Sequence, residues 1–153
     1  MIVTFCGHRD FIADEIHERF VISLLEEVVA GRNVEFYLGD QGAFDRFAYA
    51  CAKKYKENHT NASLIYVTPY LTEDYQRRLL CGLQQKYDSI VYPSIENVPL
   101  RYAILSRNKY LVEKADLIIA YVDHSWGGAY QTFCLAKKKR KMVFNLAENR
   151  FDG

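Results

Sequence analysis

Three short loops in this 153-residue chain combine glycine with side chains able to hold an anion. The first is Cys6-Gly7-His8-Arg9-Asp10, and the second is Gly39-Asp40-Gln41-Gly42-Ala43. The third runs from Asp123 through His124, Ser125 and Trp126 to Gly127-Gly128. Glycine permits positive φ and close approach of a ligand to the backbone. A helix opening just after such a turn presents free N–H groups, and its dipole favours negative charge. Gly127-Gly128 stands between a β-prone apolar run, Leu117 to Tyr121, and a helical pattern starting near Ala129, which is a phosphate-binding arrangement. Alone, such a pair is more often an ordinary turn; the other two glycine loops strengthen the phosphate reading.

The neighbouring side chains each have two readings. The planar fork of Arg9 suits an oxyanion, and His8 could donate a hydrogen bond or act as an acid; both could equally cap helices at the surface. Asp10 reads as a helix cap or a partner of Arg9 rather than a catalyst. Arg107 and Asn108 interrupt an apolar stripe, which either a buried polar role or rotation toward solvent would explain. Trp126 could stack on a base, form a lid or pack against a neighbour. Asp116, just before an apolar run, reads as a structural cap. Cys6 reads as a small apolar residue ending a strand, not as a nucleophile.

The elements that must position these loops alternate. Strands are expected at Ile2 to Phe5, Val34 to Leu38, Ser63 to Val67, Ser89 to Tyr92 (an edge), Leu117 to Tyr121 and Met142 to Leu146. Helices are expected from about Ala13 to Val29, where Ile16, Phe20, Leu24 and Val28 recur every fourth position, then from Phe44 to Lys56, Glu73 to Lys86, Leu100 to Lys114, and Ala129 to about Lys139. Gly31 and Asn33 end the first of them. This alternation specifies an α/β fold, a three-layer Rossmann-like sandwich with a mostly parallel sheet and core strand order 3-2-1-5-6. Every strand-to-helix loop then lies on one edge of the sheet, so the glycine turns converge there, with the first strand and the Gly-Gly strand as neighbours around one pocket. The basic run Lys137 to Lys141 joins a helix to its following strand and falls at the opposite edge, as a solvated surface.

The length suits one domain, residues 1–146, followed by a polar tail at 147–153. A net charge of +1 gives no long-range field for nucleic acid or an anionic membrane. The four cysteines, Cys6, Cys51, Cys81 and Cys134, form no CxxC pair, so no metal site and no dithiol redox site is expected. With no leader and no apolar run approaching a membrane span, the expectation is a soluble, cytoplasmic protein.

With the loops assembled, the chain resembles the SLOG superfamily, the Rossmann-like group that includes the lonely-guy phosphoribohydrolases and DNA-processing protein A. Three segments carry the resemblance: FCGHRD at 5–10, LGDQGAFDRFAYACA at 38–52 and the stretch from Arg107 to Phe144. The nearest pattern is that of a small stand-alone bacterial subgroup with a TGHR-like first loop, a GxDxxA-like second loop and an RN-to-GG stretch. The order and spacing of these motifs, more than any one of them, is specific. The resemblance implies a nucleotide or nucleotide-derived ligand held by Gly7, His8, Arg9, Gly39, Gly42, Asp45, Arg107, Asn108, Gly127 and Gly128. In it Gly42 would present amide groups, and Asp45 could hold a ribose hydroxyl or simply charge a first helical turn favourably. The phosphoribohydrolases continue their glycines as GxGTxxE, whereas here Gly127-Gly128 continues as Ala129-Tyr130-Gln131-Thr132 with no carboxylate in the first turns. Nucleoside deoxyribosyltransferases likewise use a glutamate in that region. Gln131 cannot shuttle a proton. The leading expectation is therefore a sensor or ligand-capture module with no firmly implied cofactor. The alternative is an N-glycoside hydrolase or transferase using Asp10, Asp45 or Asp123. A second alternative, a DNA-associated module, draws on Arg77, Arg78 and the basic run; membrane partners are not expected, and a homo-oligomer is compatible.

Overall fold

The computed structural model describes residues 1–70, 73, 74, 77, 82, 85–93, 95 and 97–148. The expected helix over 73–86 lies largely outside the described residues, as do Arg78, Cys81 and most of the expected tail. Six strands form one sheet, every pair of them parallel: β1 (Ile2–Gly7), β2 (Val34–Leu38), β3 (Ala62–Val67), β4 (Ser89–Val91), β5 (Leu117–Tyr121) and β6 (Met142–Asn145). Their order is β4-β3-β2-β1-β5-β6. The expected core order is present, with β4 added at the edge beyond β3, and the sheet is wholly rather than mostly parallel.

β1 is the hinge of this topology because the chain steps outward from it in both directions. The crossovers carrying α1 (Glu15–Val29) and α2 (Ala43–Glu57) lead to β2 and β3, while α3 (Ala103–Lys114) precedes β5 and α4 (Gly128–Lys138) leads to β6. Side chains alternate across the strands and divide between the two helical layers. Val3 and Phe5 of β1 and Leu117 and Ile119 of β5 pack with Val21, Leu25, Phe47 and Cys51 of α1 and α2. Their neighbours Cys6, Ile118 and Ala120 pack instead with Val112 of α3 and Phe133 and Ala136 of α4. Both faces of the central strands are thereby covered, which is why they read as near-continuous apolar runs.

Local chemistry sets the helix boundaries. Asp14 caps α1 by accepting a hydrogen bond from the Ile16 N–H at 2.8 Å, so the helix starts at Glu15, later than expected from its apolar period. Its end is made by two left-handed residues, Ala30 at φ 52° and Gly31 at φ 74°. The expected helix from Leu100 divides into a 3₁₀ turn, Leu100–Tyr102, and α3. Pro99 explains the division, since its carbonyl accepts the Tyr102 N–H at 2.8 Å and tightens the first turn.

Candidate functional site

A cleft of about 550 Å³ opens at the carboxyl ends of β1 and β5, on the side of the sheet where strand order reverses. Nine of the ten residues expected there line it: Gly7, His8, Arg9, Gly39, Asp45, Arg107, Asn108, Gly127 and Gly128. Gly42 does not. It precedes α2 at φ 131°, where an added Cβ would lie 2.9 Å from the Arg9 Cα, so its role is to let the second loop pack against the first. The carbonyl of Arg9 accepts the Ala43 N–H at 3.1 Å, locking the same two loops together.

The Gly-Gly turn keeps its surface open. Gly127 precedes α4 at φ 91° and no side chain caps the helix, while a Cβ built on either glycine would meet nothing within 4 Å. The first N–H groups of α4 therefore face accessible space beside the cleft. The glycines of the other two loops are crowded instead. A Cβ on Gly7 would come 2.3 Å from the Phe44 ring, and one on Gly39 would come 2.7 Å from Arg107 Nη1 and 3.2 Å from Asp45 Oδ2.

Arg107 is only 2% exposed. Its Nη1 donates to the Val67 carbonyl at 3.1 Å and its Nε to Asn108 Oδ1 at 3.0 Å, so of the two readings of this interrupted stripe the buried polar one holds. Asp45 lies near it and accepts the Gln41 N–H through Oδ2. Burial raises the Asp45 carboxyl above its ordinary range, opposed by that N–H and by the Arg107 charge. Arg9, by contrast, is exposed and lines the cleft. Asp116 accepts the Ile2 N–H at 2.8 Å, a structural role as expected. Burial, with Asp45 nearby, pushes the Cys6 thiol up to about 12, which disfavours the thiolate.

The first and third loops join through rings. His8 is buried and stacks on His124 at 3.5 Å with planes 12° apart, and His124 in turn meets Trp126 at 3.8 Å. His8 Nε2 accepts the Asp123 N–H at 3.2 Å. In this contact the nitrogen serves as an acceptor. Burial, then the His124 charge, lowers the His8 pKa against the pull of Asp123 and Asp10. Trp126 packs against one neighbour yet remains 69% exposed at the cleft, leaving it able to stack on a planar ligand. Sequence reading placed His8 and His124 in separate loops and did not pair them. The signal was available in the topology, because adjacency of β1 and β5 brings the residues just beyond them together.

Two further expectations concern basic side chains. The run Lys137 to Lys141 spans the carboxyl end of α4, away from the cleft, where Lys139 pairs with Glu113 at 3.3 Å and the Lys141 Nζ donates to the Glu113 carbonyl. Arg77 is exposed and lies 3.8 Å from Glu73.

No family model and no curated protein matches this sequence. Solved structures do match in shape. DNA processing protein A from Helicobacter pylori superposes with a TM-score of 0.64 at 18% identity, over 99% of this chain and 67% of that one. The Streptococcus pneumoniae protein of the same name gives 0.63 at 16% identity, over 98% and 51%. This chain shares their fold. The Moco carrier protein of Chlamydomonas rheinhardtii also matches, at a TM-score of 0.53 and 14% identity, over 95% of this chain and 75% of that chain. The present chain thus spans about two thirds and one half of the lengths of the two DNA processing proteins. Among the described residues no helix is long and apolar enough to cross a membrane.

Proposed function

We propose that the cleft binds a nucleotide or nucleotide derivative, as a sensor or capture module. The observation that carries this reading is the open, uncapped start of α4 at Gly127-Gly128, facing the same cleft as Arg9 and the exposed ring of Trp126. The helix start and Arg9 would take the phosphate, and Trp126 would stack on the base. Asp45 is the candidate for a ribose hydroxyl.

Binding without turnover fits the carboxylates at hand. Gln131 occupies the exposed first turn of α4, Asp45 is engaged by the Gln41 amide and Asp123 is hydrogen-bonded to His124, which leaves Asp10, exposed at the cleft, as the carboxylate to test. Cleavage of an N-glycosidic bond needs a carboxylate free to stabilise the oxocarbenium-like centre. A second reading places single-stranded DNA in the same cleft, favoured by the likeness to the Helicobacter pylori protein, for which a single-stranded DNA binding mode is described. The basic run at the far edge does not contribute to it.

A thermal-shift series against nucleoside monophosphates, their sugar phosphates and a short oligothymidylate tests these readings. A ligand at 100 times its Kd stabilises by about 2.7 kcal/mol. At about 2–4 °C per kcal/mol for a chain of this size, the expected rise is roughly 5–10 °C. No shift with any mononucleotide overturns the proposal, and steeply salt-dependent binding of the oligonucleotide alone favours the second reading. Chromatography of the same mixtures follows free base; release that disappears in Asp45→Asn or Asp10→Asn overturns binding without turnover.

A further inference from the structure

Three side chains able to ligate a metal meet where the first and third loops touch. His8 Nε2 lies 3.3 Å from Asp123 Oδ1, and Asp123 Oδ1 lies 2.7 Å from His124 Nδ1. One ligand atom from each residue falls within 4.8 Å of the other two. We propose that His8, Asp123 and His124 form a binding site for a divalent transition-metal ion of the zinc class.

The donor set sets the class of ion. Two imidazoles and one carboxylate suit zinc, cobalt or nickel, whereas magnesium and calcium prefer oxygen ligands throughout. Three protein ligands leave a fourth position for water or a ligand oxygen. With metal–ligand bonds of about 2.0–2.2 Å, tetrahedral donors stand roughly 3.3–3.6 Å apart. The His8–Asp123 separation of 3.3 Å already matches, and the shorter Asp123–His124 contact is a hydrogen bond that opens when an ion replaces its proton. His8 Nε2 accepts the Asp123 N–H at 3.2 Å, so its lone pair faces Asp123, and that hydrogen bond must give way for an ion to take the nitrogen.

The rings must adjust as well. The two imidazole planes are nearly parallel, 12° apart at 3.5 Å, and a shared ion needs lone pairs that converge. His8 is buried at the end of β1, whereas His124 sits on a partly open loop with Trp126 on its other side. His124 is therefore the ring that tilts, and its movement alters the stack on Trp126. The site lies on the ridge between two hollows: His8 and His124 line the main cleft, and Asp123 and His124 line a neighbouring one of about 390 Å³. Solvent reaches the ion from that ridge.

Trp126 is the sole tryptophan of the chain, so its fluorescence reports on this place alone. The experiment titrates the full chain, first treated with chelator, with Zn²⁺, following emission and the heat of binding, and repeats the titration with Co²⁺ and Mg²⁺. The expected result is saturable one-to-one binding of Zn²⁺ with a change in emission, visible absorption bands of four-coordinate Co²⁺, and no response to Mg²⁺. Losing an outer-shell partner commonly costs about 10–100-fold in affinity, so Asp123→Asn and His124→Ala, which remove a ligand, should each lose at least about 100-fold. His59→Ala is the control: His59 pairs with Glu26 at 2.8 Å elsewhere on the surface, and its loss should leave the binding unchanged. Absence of saturable Zn²⁺ binding, or binding that survives both Asp123→Asn and His124→Ala, overturns the proposal and leaves the cluster a hydrogen-bonded clasp. Neither result bears on nucleotide binding, which is measured separately.

Discussion

Gly128→Val separates ligand capture from stability. Gly128 is the first residue of α4, its backbone is not in the left-handed region, and a Cβ placed there meets nothing within 4 Å. The fold should lose no more than about 0.5 kcal/mol, as for other surface substitutions that touch nothing. That corresponds to a change in Tm of at most about 2 °C. The branched side chain would instead fill the space an anion needs to reach the N–H groups. A hydrogen bond to a charged group contributes about 1.5–3 kcal/mol. At 1.4 kcal/mol per factor of ten, loss of one such bond weakens binding by roughly 10- to 150-fold. The assay is titration calorimetry of wild type and variant with adenosine monophosphate, with inorganic phosphate as a second probe, beside urea unfolding curves of both proteins. Gly127→Val is the informative contrast, because φ 91° strains any side chain there and it should lose about 1–3 kcal/mol of stability as well. Wild-type affinity in Gly128→Val, with the fold intact, would refute the assignment of the phosphate to this turn.

Three further outcomes follow from the interior of the site. Gly7→Ala should destabilise by about 1–3 kcal/mol in urea unfolding, since the new methyl group would lie 2.3 Å from the Phe44 ring; an unchanged midpoint would mean that the ring moves freely. Asp45 has a folded pKa raised by burial above the ordinary 3.8, so its contribution to stability is fully present below that value and is lost as pH rises through the raised one. Asp45→Asn should therefore gain on the wild type across this window, and a stability difference that does not vary with pH would contradict the assignment. Among the described cysteines, Cys134 is exposed, whereas burial pushes Cys6 and Cys51 up to about 12. Alkylation of the native protein followed by peptide mapping should mark Cys134 before either of them, and early labelling of Cys6 would reopen its reactivity.

The parts of the site that could be read from sequence were those encoded locally. Glycine turns after apolar runs gave the loops, and the alternation of strands and helices gave the edge on which they gather. What could not be read depends on contacts between distant segments. Gly42 has the spacing of a ligand glycine, yet its freedom serves the packing of Arg9, a close approach that spacing does not reveal. Arg107 left two readings open because its partner, the Val67 carbonyl, is 40 residues away. His8 and His124 are ordinary loop histidines until β1 and β5 pair side by side. Helix ends were misplaced by a few residues where a cap such as Asp14 or a turn after Pro99 overrode the hydrophobic period.

The pairing of β1 with β5 also dictates when the cleft can come into being. The two strands are stitched from end to end by bonds between opposite parts of the chain: the Ile2 N–H to Asp116 at their amino ends, and at the cleft the His8 N–H to the Tyr121 carbonyl and the Asp123 N–H to His8 across 115 residues. Closing so long a loop is entropically costly and its contacts are rewarded only once both strands exist. During synthesis β1, β2 and β3 can associate as they emerge, but β1 keeps one open edge until β5 has left the ribosome. A molecule able to occupy the cleft would therefore find it only in chains whose first and last thirds have already met.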